Sequence, residues 1–359
     1  MQKKLIALAV AAAFSAPAFA DNSNVTVYGK LNLDMENVQN DKAPVRSVTR
    51  VSSNASRFGV KGSEDLGDGL SAIWQLEAQY NTANNTTTTV AGGAAGQTVT
   101  NGAFDGVRNS NVGLKGNFGT VFLGNWDTPY KTTHNKVELF DNAGSFTSTL
   151  LIGHGGAAGG TNFVTRQASD IQYWTPNLSG FTGKVSFASD TAQNAAAANT
   201  AKKNRLSMSG EYENDMLYAA LGYENRPAQT IASVTDTATR LVGAYKIDGS
   251  QIGLTYERLS IGTAANTSGT QNNWELSGNY KFGNSNLGAF YAQNGNIGAT
   301  ANSGAKMATL RYGYSFSKRT EVYGAYTSLK NDTAASYSIA GATAGSKQSA
   351  FGLGMIHNF

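Results

Sequence analysis

The sequence predicts an all-β fold, a single antiparallel barrel of sixteen transmembrane strands. Three observations lead there. Apolar and polar residues alternate with period two in segment after segment, which sends neighbouring side chains to opposite faces of a strand. The connections between these segments are short and long by turns, as in barrels that close one mouth tightly and elaborate the other. The 359 residues contain no cysteine and, past residue 20, no apolar run of about 18 residues, so neither disulfides nor a membrane helix organises the chain.

The first twenty residues stand apart. Lys3 and Lys4 give a positive start, Leu5 to Phe14 is apolar, and Ala18-Phe19-Ala20 is a small-x-small cleavage site. This order marks a secretory signal peptide over 1–20. Cleavage would leave 339 residues from Asp21, read as one barrel domain over 21–359 without a linker. Without Lys3 and Lys4 the exported chain carries 26 Lys+Arg against 24 Asp+Glu, a charge of +2. That is near neutral and gives no reason to expect a nucleic-acid partner.

From Asn24 the strands follow in order. Val25, Val27, Gly29, Leu31 and Leu33 share one face, with Thr26, Tyr28, Lys30, Asn32 and Asp34 on the other. Trp74, Leu76, Ala78 and Tyr80 oppose Ile73, Gln75, Glu77 and Gln79. The same pattern recurs at 205–213, 217–224, 274–282 and 309–316. A soluble sandwich also alternates, but these polar faces are charged and glycine-rich and could not pack as a dry core. Tyr80, Trp126, Trp174, Tyr223, Phe282 and Phe316 lie near segment ends, where interfacial aromatic girdles are expected. Seven tight turns are expected at 65–69, 117–119, 176–180, 214–215, 248–250, 283–286 and 317–319. Eight long connections are expected near 38–53, 81–105, 126–164, 190–204, 226–238, 262–272, 295–305 and 331–346. Fifteen connections join sixteen strands of about ten residues each, the length a tilted span needs.

The last strand, Lys347 to Phe359, puts Phe351, Leu353, Met355, His357 and Phe359 on one face and Ala350, Gly352, Gly354, Ile356 and Asn358 on the other. A closed barrel must pair its last strand with its first to leave no open edge in lipid. The ending Gly354-Met355-Ile356-His357-Asn358-Phe359 resembles the terminal strand of the general porins of Gram-negative outer membranes. The runs Arg57 to Gly67, Val112 to Gly119, Trp174 to Phe181 and Tyr314 to Thr320 resemble, in that order, strands and periplasmic turns of betaproteobacterial porins.

The resemblance implies an outer-membrane location, a homotrimer, and contacts with outer-membrane lipid and lipopolysaccharide. It also implies that Phe359 is read by the barrel-assembly machinery, and that the third long loop, 126–164, folds inward and narrows the barrel. Loops of that length are usually functional. Its Leu139, Phe140, Phe146, Leu150, Leu151 and Ile152 would then pack on the inner wall, with Glu138 and Asp141 facing the lumen. By parity Lys30, Arg57 and Arg166 point inward. The resemblance adds Arg108 to the wall arginines, although its parity partners Val112 and Leu114 look outward, so a bulge must turn it in.

Fixed cations on one wall and fixed anions on the other would set a transverse field across a narrow aqueous neck. The expected function is passive diffusion of small hydrophilic solutes and ions, with weak anion selectivity and no cofactor. A substrate-specific channel of the same fold, or a surface adhesin, are the alternatives. An enzyme is disfavoured. His154-Gly155-Gly156 has no Gly-x-Ser-x-Gly elbow to serve, and His134, His154 and His357 lack partners at metal-ligand spacing.

Overall fold

A computed structural model describes residues 24–43, 46–81, 83, 87–89, 98–100, 104–155, 161–189, 203–227, 231, 234–264, 267–339 and 341–359. The signal peptide expected over 1–20 lies outside the described residues. The strands are β1 (Asn24–Asn40), β2 (Ser47–Ser53), β3 (Arg57–Gly67), β4 (Leu70–Tyr80), β5 (Thr87–Thr89), β6 (Thr98–Thr100), β7 (Phe104–Val107), β8 (Ser110–Gly116), β9 (Gly119–Asp127) and β10 (Arg166–Trp174). The second half comprises β11 (Phe181–Ala188), β12 (Arg205–Glu213), β13 (Leu217–Pro227), β14 (Thr235–Ile247), β15 (Ser250–Ala264), β16 (Thr267–Phe282), β17 (Ser285–Asn294), β18 (Ala305–Ser315), β19 (Thr320–Asn331) and β20 (Lys347–Asn358). A short helix α1 (Pro129–Thr132) follows β9, and β5 and β6 form a separate hairpin.

The other eighteen strands form one antiparallel sheet that closes on itself. β1 pairs with β20 on one side and with β2 and β3 on the other. β2 and β3 are one stave broken at Asn54–Ser56, and β7 and β8 are one stave broken at Arg108–Asn109, so the barrel has sixteen staves. At the seam Gly29 N–H donates to Phe359 O at 3.0 Å and Phe359 N–H donates to Gly29 O at 3.1 Å. The sheet therefore has no free edge, which lipid requires.

The faces follow the alternation. Leu221 pairs with Leu241, Leu241 with Tyr256 and Tyr256 with Trp274, and all are exposed on the outer surface. Their neighbours Ala220, Val242, Thr255 and Glu275 are buried on the other face. An exposed band this apolar matches hydrocarbon rather than water.

The seven tight turns fall where the alternation breaks. Two of the long connections do not. The connection expected at 262–272 is only 265–266, because β15 and β16 run to Ala264 and from Thr267. That at 38–53 shrinks to 41–46. Strands near ten residues hold for most staves, such as β4 with 11 and β17 with 10, but β1 has 17 residues and β16 has 16. The strands outgrow the apolar band. Beyond it the outer face meets water as well, so Ser268 and Thr270 take the outward places that Trp274 and Leu276 hold within the band, while the backbone ladder continues and Gln271 stays buried inside.

A further correction concerns Trp126 and Trp174. They are not in an outer girdle. Trp174 shares parity with buried Gln172, whereas Ile171 and Tyr173 are exposed outside. Phe122 is buried on the same face and packs edge-on against both indoles.

The small residues on the inner face of β20 have a packing reason. A Cβ on Gly354 would lie 2.4 Å from Cζ of Tyr323, and one on Gly352 would lie 2.8 Å from Cζ of Phe146. Tyr323 is buried and its hydroxyl donates to Asn32 Oδ1 and Asp34 Oδ2, both at 3.1 Å. Gly354→Val is expected to drive this ring off its partners and to cost about 1–3 kcal/mol. The measurement is the urea or heat midpoint at which the folded band on a gel is lost. A midpoint equal to that of the native chain would show that the seam tolerates the bulk.

Candidate functional site: a charged waist

Local breaks in two staves position the basic residues. Arg57 opens β3 just after the break at Asn54–Ser56, where Ala55 has φ 54°. At the second break Arg108 N–H donates to Glu77 O at 2.8 Å, while Ser110 Oγ accepts from Glu77 N at 3.0 Å. The register slips there, and Arg108 turns to the side of Glu77 despite the outward parity of Val112 and Leu114. Its Nε donates to Glu77 Oε1 at 2.7 Å and its Nη1 to Gln79 Oε1 at 3.3 Å. Tyr28 Oη donates to the other oxygen of Glu77 at 3.0 Å.

The counter-charge comes from the segment after β9. Thr128 caps α1, its side chain accepting from Lys131 N. Asp141 and Asn142 have φ 59° and 56°, left-handed values that Asp and Asn tolerate better than most residues. The Glu138 carboxylate holds this turn by accepting from Phe140 N and Asn142 N, each at 2.8 Å, and from Thr147 Oγ1 at 2.8 Å. Asp141 is thereby set beside the basic residues. Its Oδ2 lies 2.6 Å from Lys30 Nζ and 3.2 Å from Arg57 Nη1. Arg57 Nε lies 3.9 Å from Glu77. Arg166 Nε lies 3.3 Å from Asp127 Oδ1 and donates to Asn109 Oδ1 at 2.7 Å, and Lys131 Nζ shares Asp127 at 2.6 Å.

These groups surround a cavity of about 500 Å³. Lys30, Arg57, Arg108 and Arg166 all line it, as do Glu138 and Asp141. The geometry of Glu138 departs from the expectation. The carboxylate expected at Glu138 to face cations across the gap is occupied by its own turn, because three donors from residues 140–147 claim it. Glu77, Asp127, Tyr28 and Lys131 belong to the same constellation and went unselected in the sequence. Glu77 was legible, since it alternates with Gln75 and Gln79. Asp127 and Lys131 were not, because their placement depends on the turn into α1.

The rest of the segment is tied to other staves. Tyr130 Oη donates to Glu257 Oε2 at 2.8 Å and Gly153 N–H to Glu257 Oε1 at 2.7 Å. His134 Nε2 lies 2.7 Å from Glu275 Oε2, and Tyr218 Oη donates to Thr133 O at 3.0 Å. Phe140, Phe146, Leu151 and Ile152 form one buried cluster with Phe290, Met307, Tyr323 and Ala350.

Burial alone would raise the Asp141 carboxyl, but Lys30 and Arg57 outweigh it and hold it below its ordinary value of 3.8. A depressed carboxylate contributes stability above its unfolded pKa and loses it as pH falls through the lower folded one. The Lys30–Asp141–Arg57 contact is therefore expected to be the same at neutral pH and at about pH 5, and to fail only in stronger acid. Ion selectivity recorded against pH checks this. A transition centred between those two values would contradict it.

A closed barrel with an apolar outer face and a charge-lined gap inside defines the class of outer-membrane channels. Among the described residues no group of three or more His, Cys, Asp or Glu could hold a metal ion. Residues 7–334 match the Gram-negative porin family. Outer membrane porin protein 32 of Delftia acidovorans is 30% identical over 100% of both chains. Major outer membrane protein P.IB of Neisseria lactamica is 28% identical over 89% of this chain and 91% of that one. An anion-selective porin from Comamonas acidovorans has the same fold, with a TM-score of 0.76 at 24% identity over 94% of this chain and 100% of that one. OmpT of Vibrio cholerae, in a trimer form, gives 0.66 at 18% identity over 94% and 100%.

The chain belongs to the Gram-negative porin family. It is an outer-membrane protein, and at the level of the family it is a channel for passive diffusion. Its relatives are channels rather than enzymes.

Proposed function

We propose that the segment 128–155 lies inside the barrel, narrows it to the charged waist, and makes the channel weakly selective for anions. The observation that carries the reading is the charge around the gap. Six cationic residues line it, Lys30, Arg57, Lys61, Arg108, Lys131 and Arg166, against four acids, Glu77, Asp127, Glu138 and Asp141. The small positive excess favours anions without binding them tightly, and a conducting site has to release what it admits. The contacts of Tyr130, His134 and the Phe140–Ile152 cluster with wall residues support the inward path. No bond is made or broken in this function, and none of these groups is asked to act as a nucleophile, so the protein is read as a non-enzyme that uses no cofactor.

The test is the reversal potential across a planar bilayer separating unequal KCl solutions. Anion preference is expected, and clear cation preference would refute it. Residues 1–20 are read as the export signal and 21–359 as the barrel. Phe359 is read as the assembly signal, supported by its place at the seam. A homotrimer embedded in lipid and lipopolysaccharide completes the proposal, supported by the broad apolar outer face and the trimer form of the Vibrio structure. Cross-linking in native membranes tests the stoichiometry.

A further inference from the structure

We propose that the inner wall between the waist and the tight-turn mouth carries a stacking site for small anions built on a flat ring, such as aromatic carboxylates. The inference rests on the barrel interior being the diffusion path. Trp126, Trp174 and Phe122 form an aromatic triad on that wall. Phe122 lies 5.2 Å from each indole centroid, at interplanar angles of 62° and 86°, and the indoles are 6.3 Å apart. Trp174 is locked in place, since its Nε1 donates to Gln172 Oε1 at 2.9 Å. Lys184 Nζ sits 5.3 Å from the Trp174 ring centroid while paired with Glu211. Both indoles remain half-buried, each with part of its ring uncovered. An apolar ring surface bordering a hydrated path serves diffusion of hydrophilic solutes poorly, so it calls for another account.

A cavity of about 470 Å³ lies against the triad. Lys61 and Gln75 line both this cavity and the waist, which makes the two contiguous. Its polar lining includes Lys61, Lys115, Asn111 and Thr120, and no carboxylate lines it. Lys61 and Lys115 are exposed and form no ion pair among the described residues. Lys61 lies 5.2 Å from the centroid of the Tyr28 ring. Indole faces stack flat rings, and the ammonium groups of a cavity lined by no carboxylate attract a carboxylate and repel a cation. A benzene-sized ring needs on the order of 150 Å³, so one ring fits with its water. Affinity on the order of millimolar would let the solute dwell and still leave. The site would sort anions after the waist has admitted them, by ring as well as by charge.

The experiment uses the full-length folded protein in planar bilayers. Benzoate is titrated from the tight-turn side in KCl, with acetate as the anion lacking a ring and benzyl alcohol as the ring lacking charge. Benzoate is expected to lower the single-channel current with a saturating dose response, and acetate and benzyl alcohol to do so far less. The Trp126→Ala, Trp174→Ala double variant is expected to lose about fivefold or more in apparent benzoate affinity. Lys61→Gln with Lys115→Gln is expected to weaken benzoate while leaving benzyl alcohol unaffected. If the double tryptophan variant does not assemble, the lysine variant and benzoate quenching of indole fluorescence in the native protein decide the question. Equal block by acetate, equal block by benzyl alcohol, or full benzoate block in the tryptophan variant would each overturn the site. Failure of the diffusion reading looks different: no ohmic KCl conductance before any probe is added.

Discussion

Arg57→Glu is expected to move the reversal potential toward cations and to raise the cation-to-anion permeability ratio by about tenfold or more. Arg57 stands 3.2 Å from Asp141 and 3.9 Å from Glu77, so it neutralises two acids at the edge of the gap. The substitution changes the local charge by two units and leaves three carboxylates facing Lys30 and Arg108. Two unit charges 4 Å apart interact by about 1 kcal/mol even in bulk water. The change acts with opposite sign on a passing anion and a passing cation, so the ratio feels it twice. Screening reduces the effect, because the Debye length is about 10 Å at 0.1 M salt and about 3 Å at 1 M. The shift should therefore be largest in dilute KCl and should shrink in concentrated KCl. A reversal potential that stays put in dilute salt would remove Arg57 from the waist.

Glu257→Ala is expected to be the most damaging single change on the opposite wall. The Glu257 carboxylate takes hydrogen bonds from Arg240 Nε at 3.1 Å and Nη2 at 2.9 Å, from Asn273 Nδ2 at 2.8 Å, and from both ends of the segment after β9, Tyr130 Oη and Gly153 N. Arg240 and Glu257 are both fully buried. Removing one member of a buried ion pair leaves the other charge uncompensated and costs about 3–5 kcal/mol. Two outcomes follow. The denaturation midpoint should fall. The segment should also lose two anchors more than a hundred residues away in sequence, so single-channel records should turn noisy with excursions above the native conductance. Glu257→Gln keeps the volume and one acceptor but not the charge, and should fall between the two. Quiet channels of native conductance in the alanine variant would show that the segment is held elsewhere.

Much of this was legible in the sequence. Parity alone placed Lys30 and Arg57 opposite the exposed band, because side-chain direction along a strand is set by the residue's own backbone. The tight turns were legible for the same reason. For Arg166 parity is not enough, since the register slips between Gln167 and Asp170 and breaks the alternation that tied Arg166 to Gln172. Arg108 needed a break in its stave, and the structure supplies one at Arg108–Asn109, a feature of register rather than of composition. Strand ends misled, as at Ala264 and Thr267, since hydrogen-bonded ladders persist beyond the apolar band that alternation reports. Trp126 and Trp174 misled in another way. An aromatic near a strand end fits a lipid interface or an inner wall equally well, and only the parity of Gln172 against Tyr173 separates the two.

By itself, then, the sequence determined that this is a closed barrel with an apolar outside and a charged inside, because alternation and turn chemistry are local and repeat along the chain. Only the tertiary structure decided which charges meet. Lys30 and Asp141 are 111 residues apart and Tyr130 and Glu257 are 127 apart. Such pairings depend on where closure of the ring and the path of one long segment bring the chain, and no short-range pattern encodes either.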